Sequence, residues 1–403
     1  MSWEREKAAG MTSALQDFAL VVGGPDAGPV TCRGGGTQWG LGGAADPDAR
    51  VVAAPSGVVA HEPGEMIVRV RASTTIDELQ AATRSKGQLV AIEADRPAEA
   101  TIGGVLSCGQ SGIRRLGRGP IRDAVLEVTA VAASGRVVRA GAPLVKNVTG
   151  FDLCKLLVGS YGTLAFVAEV VLRCIPEPQT ERWFMAAGVD PFDVRSRLYK
   201  PLSVLWDGHR TWVCLAGYDV DVAEQARSVL GAHFSEVDGP PQPTDEGTSQ
   251  IRMSMAARDL RRLSKLAVPV EGPAGAMAGA TAGATAGATA GATAGATAGA
   301  TAGATADGWL AEVGVGVVHC ATPGVAAAVA KLAAHAATAA ATVAATASPT
   351  GMSGTVPYRG DPHGSLLELH RRIKENFDPT GRLNPGRSPL GIPSKATRPG
   401  GSK

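Results

Sequence analysis

The sequence predicts an α+β protein with a larger N-terminal domain and a smaller α+β cap. Three observations carry that prediction. Short alternating apolar runs recur up to about Pro178, amphipathic stretches of helical period interrupt them singly, and a strand-then-helix pattern occurs twice beyond Trp183. At 403 residues the chain is long enough for two or three cores.

Residues 1–22 are a charged N-terminal segment without an apolar stretch of leader length. Between Gly23 and Gly57, glycine, proline and small residues predict short strands joined by tight turns. "EMIVRVRA" (Glu65–Ala72) alternates as a strand does. "TIDELQAATRSKG" follows as a helix, with the Thr75-x-x-Glu78 spacing of a capping box and Gly87 as its stop. "QLVAIEA" reads as the next strand, so a first lobe spans about 23–95.

A second lobe, about 97–178, holds strands "AVLEVTAVAA" and "RVVRAG" around a Ser134-Gly135 turn, then a helix near Asp152–Val158. "TLAFVAEVVLRCI" closes it as a long apolar strand that "PEPQT" ends. Residues 183–350 form the expected cap: "TWVCLAGYDV" with "DVAEQARSVLG", then "WLAEVGVGVVHCA" with "VAAAVAKLAAHAATAAATVAATA", each a strand followed by a helix.

Seven tandem GATA tetrapeptides, Gly279–Ala306, interrupt the cap. The tract has neither apolar period nor any side chain larger than threonine. It is therefore expected to stay disordered, and loop-closure entropy tolerates such an insertion. Deleting 279–306 should leave the melting temperature nearly unchanged. Residues 365–387 read as an amphipathic helix running into a Pro-Gly turn, and 388–403 as a frayed tail.

A net charge of +2 gives no electrostatic reason to expect nucleic acid or an anionic membrane. No run of about 18 apolar residues predicts direct membrane insertion. Cys32, Cys108, Cys154, Cys174, Cys214 and Cys320 lie far apart, which excludes CxxC-type zinc or iron–sulfur spacing and predicts buried free thiols in a cytoplasmic protein.

"TCRGGGTQWGLGG" (Thr31–Gly43) invites a nucleotide, but not of the Rossmann kind. From Gly34 the sixth position is Trp39; from Gly40, "GLGGAA" fits a looser form, yet a turn and a strand follow where a helix is needed. Two readings stay open at this point. The loop is a plain glycine-rich turn, or a nest of backbone N–H groups that binds a diphosphate.

Two later stretches complete a pattern. They are "EADRPAEATIGGVLSCGQSGIRRLGRGPIRDAVLEVTAV" and "KNVTGFDLCKLLVGSYGTLAFVAEVVLRCIPEP", with "DPTGRLNPG" (Asp378–Gly386) near the end. Their order resembles the FAD-binding domain of the vanillyl-alcohol oxidase / p-cresol methylhydroxylase (PCMH) type, over about Pro29–Pro178 plus that closing motif. The resemblance implies non-covalent FAD held between two α+β lobes. Gly34, Gly35, Gly36, Thr37 and Gln38 would cradle the diphosphate from one side. Thr101, Ile102, Gly103 and Gly104 would do so from the other through bare main-chain amides, with Cys108, Gly109, Ser111 and Gly112 near the ribityl chain and ring. Gly159, Ser160, Gly162, Thr163, Leu164 and Val167 would flank the adenosine half, and Asn384 would approach the ring.

Within that family, "KNVTGFDLCKLLVGSYG" and "SGIRRLGRGPIRD" are most similar to FAD-binding subunits of glycolate oxidases. This implies oxidation of glycolate to glyoxylate beside a second FAD-linked subunit and an iron–sulfur subunit, with membrane association only through partners. A self-sufficient FAD oxidoreductase acting on another alcohol or hydroxy acid, and a non-redox FAD scaffold, remain as alternatives. Members that oxidise hydroxy acids unaided resemble one another in an H-x-G-D-G-N segment; here "VVHCATPG" retains only His319, so catalytic residues stay unassigned and no metal site is expected. His335, His363 and His370 read as satisfied or solvent-facing, and His61 does not match a covalent-flavin pattern. Asp152 with Lys155 reads as a structural pair, and Arg114, Arg115 and Arg118 as a solvated basic patch.

Overall fold

The computed structural model describes residues 13–143, 152–241, 251–265, 309–320, 342–345 and 365–387. The GATA tract, the 388–403 tail, His335 and His363 lie outside the described residues.

Twelve residues, Ala165–Pro176, are buried along most of their length and organise a six-stranded sheet. In chain order the strands of the N-terminal half are β1 (Val30–Cys32), β2 (Arg50–Val52), β3 (Val58–Glu62), β4 (Ile67–Arg71), β5 (Gln88–Val90), β6 (Val125–Ala132), β7 (Val137–Gly141) and β8 (Ala165–Pro176). Its helices are α1 (Ser13–Val22), α2 (Ile76–Arg84), α3 (Ile102–Cys108), α4 (Arg115–Arg118) and α5 (Leu153–Leu157). β8 pairs antiparallel with β4, β5 and β6, giving the order β3-β4-β8-β6-β7 with β5 on β8.

Strands expected in separate lobes therefore share one sheet, and the division drawn at residue 95 falls inside it. The physical reason lies in β8: a strand apolar on both faces is a central strand, with neighbours along both edges. Its pairing with β6 steps from Thr129↔Glu169 to Ala130↔Val167. That bulge turns Ala165 and Val167 to the same core as Val170 and Leu172.

The capping box appears as read: Thr75 Oγ1 accepts from the Glu78 amide at 3.2 Å, and the Thr75 amide donates back to Glu78 Oε2 at 2.9 Å. α2 and α3 bury Ile76, Leu79, Ile102 and Leu106 against Val68, Val70, Val128 and Leu172, each contributing about 1.5–3 kcal/mol. The Ser134-Gly135 turn closes β6–β7, with Gly135 at φ +78°. α1 was missed inside the N-terminal segment, although Leu15, Phe18 and Val22 mark one helical face. That face covers the parallel pair β1–β2.

The second half forms one antiparallel eight-stranded sheet. Its strands are β9 (Thr180–Ala187), β10 (Ser203–Trp206), β11 (Arg210–Gly217), β12 (Ser235–Val237), β13 (Ile251–Ser254), β14 (Trp309–Glu312), β15 (Val317–Cys320) and β16 (Thr342–Ala345), ordered β12-β9-β11-β10-β14-β15-β13-β16. "WLAEVGVGVVHC", expected as one strand, is a hairpin, because Gly314 and Gly316 both sit at φ +89° between β14 and β15. Thr342–Ala345, expected within a helix, is β16 on β13.

α6 (Pro191–Arg197) and α7 (Asp219–Gln225) cover one face of this sheet through Val194 and Val222. The other face, with Trp183, Leu205, Trp212 and Leu310, packs on Ile113. There Ser203 Oγ donates to the Ile113 carbonyl at 2.8 Å, and the Gly117 amide to that of Leu202 at 3.1 Å. The cap sheet thus sits on the segment that follows α3.

Arg114 and Arg118 do not form a solvated patch. Arg118 reaches Glu93 at 2.9 Å and Glu181 at 3.2 Å, while Arg114 meets Glu181 at 2.5 Å, so the cluster ties β9 to the N-terminal half. Burial holds the Glu93 carboxyl above its ordinary range, and Arg114 and Arg118 only partly draw it back. Arg118→Met is expected to destabilise by ~2 kcal/mol, between an exposed and a fully buried pair, because it leaves two carboxylates facing one cation. Glu93→Gln removes a charge that burial already penalises and should cost below ~1 kcal/mol; urea midpoints of the two variants check the order.

Candidate functional site

β1 ends at Cys32, and the chain then runs through the glycine loop. Among the described residues no acceptor engages the amide N–H of Gly34, Gly35, Gly36, Thr37 or Gln38. The loop lies directly on the second small-residue stretch. A Cβ on Gly34 would stand 2.1 Å from Thr101 Oγ1, and one on Gly35 1.7 Å from the Glu99 carbonyl oxygen. Only residues without side chains permit that approach.

The second stretch is not a loop. Thr101 caps α3, which starts at Ile102. Its amides are not bare: Ile102 N–H donates to Thr74 O at 3.0 Å, Gly103 N–H to Ala72 O at 2.8 Å, and Gly104 N–H to Thr101 Oγ1 at 3.4 Å. The expectation of two matching sets of open amides is corrected accordingly. The first stretch presents open donors, while the second presents a surface without bulk.

Between them opens a cleft of about 760 Å³, the solvent at its mouth included. Of the residues predicted from the sequence, Gly34, Gly35, Gly36, Thr37, Gln38, Thr101, Gly103, Gly104, Cys108, Gly162, Val167 and Asn384 line it. Ile102, Gly109, Ser111, Gly112, Gly159, Ser160, Thr163 and Leu164, also expected at the site, do not line it. Ile102 and Leu164 are core side chains, Gly109 packs on Gly159, and Gly112 packs on Glu93. Ser111 Oγ accepts from the Ile121 amide at 3.0 Å. The Ser160 carbonyl accepts from the Thr163 amide and hydroxyl at 3.0 and 2.7 Å.

Sequence reasoning missed Tyr161, Trp39, Ser73, Ser107, Phe166 and Arg387, which also line the cleft. Tyr161 holds a left-handed φ of +55°, an uncommon state for a bulky residue and a mark of functional positions. Its ring fills the space above Gly42, 2.8 Å from where a Cβ would be. Its carbonyl accepts from Asn384 Nδ2 at 2.6 Å.

Asn384 arrives from α8 (Ser365–Phe377) and the turn after it. The tail runs beside β1: Val30 N–H donates to Arg382 O at 2.9 Å, and Asn384 N–H to Val30 O at 2.8 Å. Asn384 Oδ1 then accepts from the Cys32 amide at 3.0 Å, fixing the start of the glycine loop. Two buried groups brace this return. Asp378 accepts from the Arg382 and Leu383 amides at 3.1 and 2.8 Å. The Arg382 side chain donates to the carbonyls of Gly28, Gly23, Ala133 and Val22 at 2.6–3.2 Å.

Beside the glycine loop, the guanidinium groups of Arg33 and Arg387 both stack on Trp39. The resemblance implied a cradle of main-chain amides; the structure adds two cations beside it. Burial pushes the thiols of Cys32 and Cys108 up to about 12, so neither is a thiolate at neutral pH. His61 bonds to Gln88 Oε1 at 2.9 Å on β3 and does not line the cleft. Asp152 caps α5 and pairs with Lys155 at 3.0 Å on the surface.

On the cap face that meets the N-terminal half, His319 Nε2 lies 2.7 Å from Glu312 Oε1. Glu312 is buried, and its Oε2 has no partner among the described residues. Among the described residues no three His, Cys, Asp or Glu side chains gather to hold a metal, and no helix is long and apolar enough to cross a membrane.

Residues 26–141 match the family model of an FAD binding domain. The glycolate oxidase subunit GlcE of Escherichia coli (strain K12) is 37% identical over 124 residues, which cover 30% of this chain and 35% of that protein. The glycolate oxidase subunit GlcD of Bacillus subtilis (strain 168) is 30% identical over 185 residues, covering 44% and 38% respectively. The chain spans about a third of the length of these curated relatives. Among solved structures, an alkyldihydroxyacetonephosphate synthase superposes with a TM-score of 0.53 at 13% identity, covering 89% of this chain and 71% of that one, a likeness of fold.

Proposed function

We propose, from the premise that the chain carries an FAD-binding domain over residues 26–141, that it is the flavin-holding subunit of an oxidoreductase acting on 2-hydroxy acids, with glycolate as the substrate. A second FAD-linked subunit and an iron–sulfur subunit are the partners in this reading. One observation carries it: open amides from Gly34 to Gln38, the bulk-free face of α3 and the Tyr161–Val167 wall converge on one cleft within and beside the matched domain.

The residues fit FAD. The missing Cβ atoms at Gly34 and Gly35 let the loop press on Thr101 and Glu99, and the unengaged donors suit a diphosphate. Bound FAD would supply a two-electron acceptor. In this assignment Gly34–Gln38 bind, Gly103, Gly104, Ser107 and Cys108 set the width of the cleft, and Asn384 holds the loop and Tyr161 in place. The cap sheet packs on Ile113–Gly117, the segment that follows α3. Residues 23–178, 183–350 and 365–387 are then the FAD-binding, cap and returning segments.

The test is an absorption spectrum of purified protein before and after acid precipitation, followed by anaerobic addition of glycolate. The expected result is a yellow protein that releases its flavin into the supernatant and bleaches only with the partner subunits present. A colourless protein that takes up no added FAD overturns the assignment. A second reading, a self-sufficient oxidoreductase, draws on the His319–Glu312 pair: a buried carboxylate orienting an imidazole is how a base for a hydroxyl proton is built. Bleaching by the chain alone, lost in His319→Gln, would favour that reading.

A further inference from the structure

Two cations stand beside the glycine loop, both on one indole, and one of them, Arg387, lines the cleft. The Arg387 guanidinium carbon lies 3.9 Å from the Trp39 ring centroid, and that of Arg33 4.9 Å. Stacking on an aromatic face holds a guanidinium in place and leaves its edge N–H groups free. Arg387 uses one nitrogen, Nη1, which donates to the Leu41 carbonyl at 3.2 Å. Its Nε and Nη2 are buried and have no acceptor among the described residues. Among the described residues neither arginine is ion-paired with a carboxylate.

Burial lowers the pKa of Arg387, and the like charge of Arg33 adds to that effect against an opposing pull from Cys108. Two neighbouring cations, with buried donors unused, are an arrangement that protein groups alone leave unfavourable. The adjoining loop adds the open N–H groups of Gly34–Gln38, and Arg33 Nη2 comes within 3.2 Å of where a Gly36 Cβ would sit. Open amides and unpaired cations with no opposing carboxylate match a multiply charged anion.

We propose that Arg387 and Arg33, stacked on Trp39, are the counter-charges of a diphosphate seated on the amides of Gly34–Gln38. Charge, and not backbone donation alone, then sets the affinity for FAD. The proposal rests on the FAD assignment and deepens it by directing both guanidinium groups to the diphosphate and away from the flavin ring.

The experiment compares dissociation constants of the full-length apo-protein for FAD, ADP and riboflavin in wild type, Arg387→Gln, Arg387→Lys and Arg33→Gln. Arg387→Gln should weaken FAD and ADP by the same factor, about 10- to 100-fold, and leave riboflavin, which has no phosphate, unchanged. It should also flatten the salt dependence of ADP binding. Because the substitution gives up one bond to Leu41 and the Trp39 stack but removes two buried unused donors and the repulsion from Arg33, the Arg387→Gln apo-protein should melt close to wild type. Arg387→Lys should keep the salt dependence, and Arg33→Gln should weaken ADP in the same sense. Unchanged ADP affinity in Arg387→Gln, or weakened riboflavin with ADP unaffected, overturns the proposal. If Arg387→Gln does not fold, equal ADP affinities and salt slopes in wild type and Arg33→Gln do the same. Wild type that binds no FAD sinks the underlying assignment, whereas wild type that binds it as tightly as Arg387→Gln sinks this inference alone.

Discussion

Arg382→Met is expected to lower the melting temperature by about 10 °C and to abolish tight FAD binding together with it. Arg382 is only 3% exposed, and its side chain donates to the carbonyls of four residues from three separate stretches: Val22 and Gly23, Gly28, and Ala133. Methionine matches its apolar length but takes the donor from the carbonyls of Gly23, Gly28 and Ala133, while that of Val22 keeps Arg50. At about 1–3 kcal/mol for each buried group stranded, and allowing for water reaching some of them, the loss is on the order of 4 kcal/mol. Arg382→Lys should recover less than half, because a single ammonium cannot reproduce a planar fork. Thermal melts of the apo-proteins, with FAD titrations at a temperature where each is folded, separate the two effects. A melting temperature within about 2 °C of wild type for the methionine variant would show that the tail is anchored by other contacts.

Gly35→Val is the second large effect, and it falls on binding more than on stability. Its Cβ would stand 1.7 Å from the Glu99 carbonyl oxygen and 2.7 Å from the carbonyl carbon, both backbone atoms that have no rotamer by which to move away. The glycine loop must lift from the second stretch, which widens the cleft and disperses its open amides. Overpacking of this kind costs about 1–3 kcal/mol of stability. A shift of about 1 Å in the donors should weaken FAD by at least about 100-fold. Gly64→Val, at a turn where an added Cβ meets nothing within 4 Å, is the matched control and should bind FAD as wild type does. Equal FAD affinity in the two variants would remove Gly35 from the site.

What was legible in the sequence was local. The Thr75–Glu78 capping box, the Ser134-Gly135 turn and the apolar β8 are written within a few residues of themselves, and each stands where it was expected. The α1 face was equally legible through Leu15, Phe18 and Val22, but a charged start to the chain masked the period.

The site was legible only as far as glycine goes. A run of glycines signals close backbone approach, and the approach is there. The object approached is not encoded nearby: Gly35 meets Glu99, and the Ile102 and Gly103 amides are claimed by Thr74 and Ala72. Arg114, Arg118 and Arg387 were unreadable for a related reason. A basic side chain looks the same in sequence whether it meets water, Glu93 and Glu181, or the ring of Trp39.

The hydrogen bond from the Cys32 amide to Asn384 spans 352 positions of the chain. A ribosome makes β1 and the glycine loop 352 positions ahead of the group that holds the loop. Until then the nascent N-terminal part has its inner sheet but no brace beside β1, and closing so long a separation is slow. Coenzyme capture consequently waits for Asn384, and ribosome-bound chains stalled before it should emerge colourless even in excess FAD.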